Sequence, residues 1–291
     1  MRDAAPRLDT WLVVLASTGL AAWSMLALDG GELVLPAFCS GGKLSVAPLS
    51  VSFDLALAFN TPLKLASGWA LMVAAMMSPL TIAPLRHVRN RSFARRRGRA
   101  MLLFVAGYMA VWMTAGTGLQ AVALAARWAV PAPPVCLGLA LAVAIVWQVS
   151  PAKQWCLNRC HRRPELRAFG AAADRDAFAF GLTNGVSCAG ACWALMLLPL
   201  VVGRGHLLAM IAISLFVFAE RLENAAPLAW RWRGPGKALR IATAQARMRL
   251  ARRKPGLAIL HRMAADPAWL TKYRRNLRAA SSAKAAFIAR E

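Results

Sequence analysis

The stretch that decides the fold is Phe178–Val202, which reads FAFGLTNGVSCAGACWALMLLPLVV and contains no Asp, Glu, Lys or Arg. A helix crosses the apolar core of a bilayer with about 20 mainly apolar residues, so this stretch is long enough to span a membrane. Five further apolar runs have the same character: Trp11–Leu28, Ala66–Leu85, Met101–Ala126, Val135–Val149 and Leu207–Leu222. No strand-like alternation competes with them. The sequence therefore predicts an all-α, polytopic membrane helix bundle of about six transmembrane helices.

The composition excludes several other classes of protein. Of the 291 residues, 58% are hydrophobic and 16% are charged, whereas soluble domains are about 45–50% apolar and about 25% charged. Six cysteines are too few for a disulfide-rich scaffold, and the high hydrophobicity excludes disorder. The sequence contains no Ser-His-Asp set, phosphate-binding loop or HExxH motif. We therefore expect a protein that is not an enzyme.

Lys and Arg are concentrated in alternate loops between the predicted spans, so that the basic segments all fall on one side of the membrane. Loops 86–99 and 150–177 hold seven and six of them, and the segment 230–291 holds sixteen against two acids. The intervening loops hold at most two each. By the positive-inside rule, this pattern predicts a multi-pass protein of the cell inner membrane with both termini in the cytoplasm. A signal peptide is the alternative for the first run, but no cleavage site follows it.

These features divide the chain into four predicted parts. They are an N-terminal anchor helix (1–28), an extracytoplasmic loop (29–65), a five-helix membrane domain (66–224) and a basic, helical cytoplasmic tail (225–291). Because the tail is rich in Ala, Leu and Arg, we expect a cationic helix that binds anionic lipid headgroups of the bilayer. Nucleic acid or an acidic protein is the alternative partner, and tethering to the membrane favours lipid.

Two pairs of cysteines stand four residues apart, Cys156 with Cys160 and Cys188 with Cys192. On a helix, residues four apart share a face, with Cβ atoms about 5–6 Å apart. Two thiolates at this spacing can hold one soft metal, such as Cu(I), zinc or an iron–sulfur cluster. The topology places both pairs towards the cytoplasm, beyond the end of the fourth span and within the fifth. We therefore expect the four sulfurs to converge on one ion near the inner interface.

Four further residues are candidate donors. His161 directly follows Cys160, Met196 continues the row of Cys188 and Cys192, and Met72 and Met76 form a similar row in the second span. Cysteine together with methionine favours copper, with zinc as the alternative. Packing is the competing interpretation, because small residues such as Gly181 and Gly185 let membrane helices approach closely and methionine commonly fills cores.

Other residues suggest structural roles. Cys39 and Cys136 stand alone and indicate packing or a disulfide, and Pro79 and Pro84 predict kinks in the second span. For Glu220, near the inner end of the last span, we expect an ion pair at the interface with an arginine of the cytoplasmic loops.

Four stretches also show a likeness to known sequences. They are Trp69–Pro79, Gln148–Cys160, Gly181–Met196 and Ala219–Arg221. Over roughly residues 65–224 the chain resembles a family of unknown function described as predicted metal-binding integral membrane proteins. That family usually shows Glu-Lys where this chain has Glu220-Arg221. The resemblance implies a metal site in a membrane protein and does not extend to the first span, the outer loop or the tail.

The sequence as a whole predicts a membrane protein that binds copper through paired thiolates, for metal handling, delivery or transport. Two alternatives remain. One is a non-catalytic membrane subunit or assembly factor with a protein partner in a larger complex, and the other is a membrane thiol oxidoreductase.

Overall fold

The computed structural model describes residues 10–28, 62–130, 132–202, 205–232, 234, 236–245 and 247–248. In these ranges every regular element is a helix and none is a strand, which confirms the all-α prediction there. Residues 29–61 of the predicted outer loop, with Cys39, lie outside the described residues, as does most of the predicted tail.

Seven α-helices of the described residues form the body of the protein. They are α1 (Thr10–Leu28), α2 (Pro62–Arg91), α3 (Arg97–Ala129), α4 (Pro133–Val149), α5 (Pro151–Cys160), α6 (Gly170–Val201) and α7 (His206–Arg221). A single turn of 3-10 helix, Ala94–Arg96, connects α2 to α3. Each of the six predicted apolar runs falls on its own helix, apart from one residue at the end of the fifth run and one at the end of the sixth.

Four of the described helices, α1, α2, α3 and α6, are long and apolar enough to cross a membrane. A fifth span results if α4 and α5 are counted together, because the two are separated by one residue and meet at a bend of 66°. Helix α7 has 16 residues and does not reach the length of a span by this measure. The described residues thus support several membrane-spanning helices without confirming the predicted number of six.

The bend between α4 and α5 differs from the loop predicted after the fourth span. Ser150 caps the new helix, since its hydroxyl accepts a hydrogen bond from the backbone N–H of Lys153 at 3.2 Å. Pro151 occupies the first helical position, where a missing N–H does no harm. Cys156 and Cys160 therefore lie on an ordered helix with its own direction, rather than in a loop.

Helices α3 and α6 form the central pair of the bundle, and glycine allows them to approach closely. A Cβ atom on Gly107 would stand 2.5 Å from the carbonyl oxygen of Phe178. One on Gly181 would come closer than 3.0 Å to the carbonyl oxygen of Phe104. The small-residue face predicted for the fifth span is thus a packing face at Gly181, as membrane helices commonly use.

Aromatic side chains fill the space next to this pair. Trp69 of α2 is buried and donates its indole N–H to the carbonyl oxygen of Trp112 at 2.7 Å. Phe104 and Tyr108 stack along α3 with ring centroids 6.2 Å apart. Helix α2 runs without interruption from Pro62 to Arg91, even though it contains Pro79 and Pro84.

Near the N-terminus of α6, two carboxylates form ion pairs with arginines that precede this helix in the chain. Asp174 pairs with Arg96 and Arg99, each at 2.9 Å. Asp176 pairs with Arg167 at 2.7 Å, and hydrogen bonds to this carboxylate raise the pKa of Arg167 above its ordinary value. Two carboxylates thereby offset part of the positive charge on this side of the bundle.

The chain divides into two compact units, one up to Pro235 and one from Gly236 onwards. The first unit contains all the helices named above. In the second, the described residues 236–245 and 247–248 are helical.

Candidate metal centre

Cys188 and Cys192 occupy successive turns of α6, and each is only 1% exposed. The Cys188 sulfur accepts a hydrogen bond from the Tyr108 hydroxyl at 3.2 Å. The Cys192 thiol donates to the carbonyl oxygen of Cys188 at 3.1 Å. The spacing of four therefore does bring two sulfurs to one face of the helix, and that face is directed into the protein towards α3.

Cys160, at the end of α5, lies near this pair. Its sulfur is close enough to Cys188 and to Arg221 for their charges to act on it. Arg221 is the last residue of α7, and its positive charge also acts on Cys188. The sulfurs of Cys160 and Cys188 and the guanidinium of Arg221, from three different helices, are therefore within electrostatic reach of one another.

Cys156 of α5 contacts α6 at a different position. A Cβ atom on Gly190 would stand 2.6 Å from the Cys156 sulfur, so this thiol packs directly on Gly190. Since each residue advances a helix by about 100°, Gly190 faces almost opposite to Cys188 and Cys192. The two α5 cysteines therefore contact different sides of α6.

No three His, Cys, Asp or Glu side chains of the described residues are arranged to hold a metal ion together. The convergence of four sulfurs on one atom is accordingly not present in this arrangement. The assignment of all four cysteines as ligands stays a prediction. The five cysteines that the structure describes are free thiols.

The predicted auxiliary donors fall into two groups. Met72, Met76 and Met196 are at most 1% exposed and belong to the same apolar core cluster as Cys188 and Cys192. Their burial fits the packing interpretation and also places thioethers in the core that holds the α6 thiols. His161 is exposed instead.

A cavity of about 210 Å³ lies beside α5 and the residues that follow α7. His161, Glu220 and Glu223 are among its lining residues, together with Gln154, Leu157, Asn158, Asn224, Arg231, Trp232 and Gly234. His161 and two carboxylates thus line the same cavity. Its predicted role as a metal ligand beside the thiols stays untested.

A buried ion pair next to the thiols was not anticipated. Lys153 on α5 is fully buried, and its ammonium lies 2.8 Å from the carboxylate of Glu220, whose side chain is 4% exposed. Gln148 completes the group, accepting a hydrogen bond from Lys153 and donating one to Glu220. The ammonium also lies 5.9 Å from the ring of Phe216.

The partner predicted for Glu220, an arginine of the loops, is therefore wrong. The arginines Arg96 and Arg99 pair with Asp174 at the start of α6 instead. The sequence does contain one signal of this pair, because a lysine beside a predicted span needs an acidic partner. The sequence cannot identify Glu220 as that partner, because the two residues are 67 positions apart in the chain.

Residues 66–242 of the chain match the model of the PpoB2 family, described as copper chaperone. No curated protein and no solved structure matches the chain.

Proposed function

Because the chain belongs to the PpoB2 family of copper chaperones, we propose that it carries Cu(I) on buried thiols and passes the ion to a copper-requiring protein. The family match supports copper handling and a role other than catalysis. What the proposal adds is the location of the cargo, which we place at Cys188 and Cys192 of α6, with Cys160 of α5 as a neighbouring donor.

One observation carries this assignment: Cys188 and Cys192 are buried thiols on successive turns of one helix. The sulfur of Cys160, on a different helix, lies within electrostatic reach of Cys188. Thiolate ligands select Cu(I) over hard cations, and thioethers such as Met196 have the same preference. The donor set near α6 therefore fits the cargo in its chemistry. Cys156 faces Gly190, and the proposal gives it no part in holding the ion.

The surrounding groups suit a thiol that must bind and later release an ion. A thiol gives up its proton when it binds a metal. The Tyr108 hydroxyl, 3.2 Å from the Cys188 sulfur, donates to that sulfur and stabilises its negative form. Each donor is held by a packed helix, so little reorganisation is needed when the ion arrives.

We place the protein in the cell inner membrane with both termini in the cytoplasm. Support comes from the long apolar helices and from the alternation of Lys and Arg between loops. The proposal places the end of the bundle with Cys160 and Arg221 on the cytoplasmic side. It also includes contact between the basic tail and anionic lipid headgroups, and a protein acceptor for the copper.

Copper content of the purified protein tests the proposal. The wild-type chain, purified in detergent under reducing conditions from copper-supplied cells, should hold about one copper per molecule. The double variant Cys188→Ser/Cys192→Ser should lose this copper almost completely. Cys136→Ser is the matched control, because Cys136 is also a buried free thiol but lies on α4 outside the group.

Equal copper in the double variant and in wild type would refute the site. If, in addition, a fixed partner protein copurified with both, the role of an assembly subunit would be favoured instead. Cys156→Ser separates the two cysteine pairs, since the structure predicts that this change leaves the copper in place.

A further inference from the structure

The first residue of α7 is a histidine, His206, with only 4% of its surface exposed. Its Nδ1 lies 2.7 Å from the carbonyl oxygen of Pro199 in the last turn of α6. Because a carbonyl oxygen only accepts hydrogen bonds, Nδ1 carries the ring proton. The other ring nitrogen, Nε2, is buried and has no hydrogen-bond partner among the residues that the structure describes. A second proton on Nε2 would bury a positive charge, which is costly, so this nitrogen presents a lone pair.

Capping of α6 explains only one of the two ring nitrogens. The last carbonyl groups of a helix have no partner within the helix, and the Nδ1–H of His206 satisfies that of Pro199. A single donor is enough for this role, and asparagine would supply one. Nε2 adds a buried polar atom that is costly to leave without a ligand. An imidazole that donates one N–H to a backbone carbonyl and keeps its other nitrogen open is typical of metal-binding histidines.

A thioether lies one turn further along α7. Met210 is 0% exposed and belongs, like His206, to the buried face of this helix. Residues four apart share a face, with Cβ atoms about 5–6 Å apart, so the Met210 sulfur and the open nitrogen can reach one ion. Thioether and imidazole both suit copper, and Cu(I) accepts few ligands. The first turn of α7 contains no acidic residue, so the pair differs from the oxygen-rich sites that hard cations require.

Met196 lies on α6 between the thiol pair and the end of the helix where His206 is bound. It is 0% exposed and belongs to the same core cluster as Cys188, Cys192 and Met210. At 1.5 Å of rise per residue, Met196 is about 6 Å beyond Cys192 along the helix axis. Soft donors therefore continue along α6 from the thiols towards His206.

Resting on the copper cargo proposed above, we infer that His206 and Met210 form a second site for Cu(I), from which the ion reaches Cys188 and Cys192 past Met196. The two donors of this site are neutral, so the charge of the ion is not offset there. At the thiol pair, the negative sulfurs do offset it. The second site therefore binds Cu(I) more weakly than the thiols do, and copper passes from it to them.

Equilibrium dialysis of the full chain in detergent, against Cu(I) buffered by a chelator under anaerobic reducing conditions, tests the second site. The wild-type chain should bind a weaker ion in addition to the tightly held one. His206→Asn keeps an N–H for the carbonyl of Pro199 but has no Nε2. It should weaken the second ion by about 10–100-fold or more, since even the hydrogen-bond partners of metal ligands contribute this much to affinity.

Two further variants separate coordination from packing. Met210→Leu conserves volume but removes the thioether, and it should weaken the second ion as His206→Asn does. His87→Leu is the matched control, because Nε2 of His87 already bonds the carbonyl oxygen of Pro164 at 2.8 Å, and it should leave both ions in place. At low copper supply, His206→Asn should also slow the loading of the thiols by about 10–100-fold, in proportion to the lost affinity. An unchanged loading rate would overturn the route.

X-ray absorption at the copper edge keeps the inference testable on the wild-type chain if the variants do not fold. The tightly held ion should show sulfur neighbours, and nitrogen should appear only when the weaker ion is added. A weaker ion that is unaffected by His206→Asn, or that has sulfur neighbours alone, would overturn the second site and leave the thiol site standing. If instead no ion depends on Cys188 and Cys192, the proposed function itself is refuted.

Discussion

The buried pair of Lys153 and Glu220 makes a strong prediction about stability. Removing one partner of such a pair leaves the other charge in the core and typically costs about 3–5 kcal/mol of unfolding free energy. The side chains are 0% and 4% exposed, so water cannot offset much of this loss. We therefore expect Lys153→Met and Glu220→Gln each to destabilise the protein by about 3–5 kcal/mol.

Removing both charges should cost much less than the sum of the two single changes. In Lys153→Met/Glu220→Gln no charge is left buried, and the introduced amide can still accept the hydrogen bond that Gln148 donates to Glu220. Replacing a whole buried pair by neutral groups is often close to neutral. The double-mutant cycle should therefore give a coupling energy of about 2 kcal/mol or more.

Chemical unfolding in detergent micelles, followed by tryptophan fluorescence, measures these values on a chain that contains 11 tryptophans. The exposed pair Arg167–Asp176, with side chains 63% and 19% exposed, is the matched control. The double-mutant cycle of Arg167→Gln and Asp176→Asn should give a coupling energy of about 0.2–1 kcal/mol. Additive effects at Lys153 and Glu220, within about 0.5 kcal/mol, would refute the reasoning.

Two further predictions concern the packing of the bundle. Gly181→Ala places a methyl group against the backbone carbonyl of Phe104 and should destabilise the protein by about 1–3 kcal/mol. Gly118→Ala, with open space around it, is the control and should be neutral or stabilising by up to about 1 kcal/mol. The same unfolding assay compares the two variants, and equal effects would contradict the close approach of the helices. Trp69→Phe removes the donor that bonds the Trp112 carbonyl at 2.7 Å and should cost about 1 kcal/mol, so an unchanged unfolding free energy would show that this hydrogen bond contributes little.

The helices themselves could be predicted because hydrophobicity is a local property. Each apolar run became a helix, and the spacing of Cys188 and Cys192 correctly placed two sulfurs on one face. These inferences need only the period of a helix and the thickness of a membrane. Neither depends on how distant parts of the chain meet.

The arrangement of the site depends on tertiary geometry that no local pattern contains. Which face of α6 each α5 thiol meets depends on the bend of 66° after Val149, where a new helix starts at Pro151. The partner of Glu220 depends likewise on the position of α5, since the carboxylate and Lys153 are 67 residues apart. The proline positions of α2 predict kinks; the helix continues through both positions, and a bend there stays a prediction.

During biosynthesis, Lys153 is made before Glu220, so the lysine is without its ion-pair partner for some time. At about 5–20 residues per second, Glu220 leaves the ribosome about 3–13 s after Lys153. Throughout this interval the nascent protein contains an ammonium group whose final neighbour has not yet been made. A chain that stops before residue 220 lacks this counter-charge, so we expect the ammonium of Lys153 to stay in water until α7 has been made.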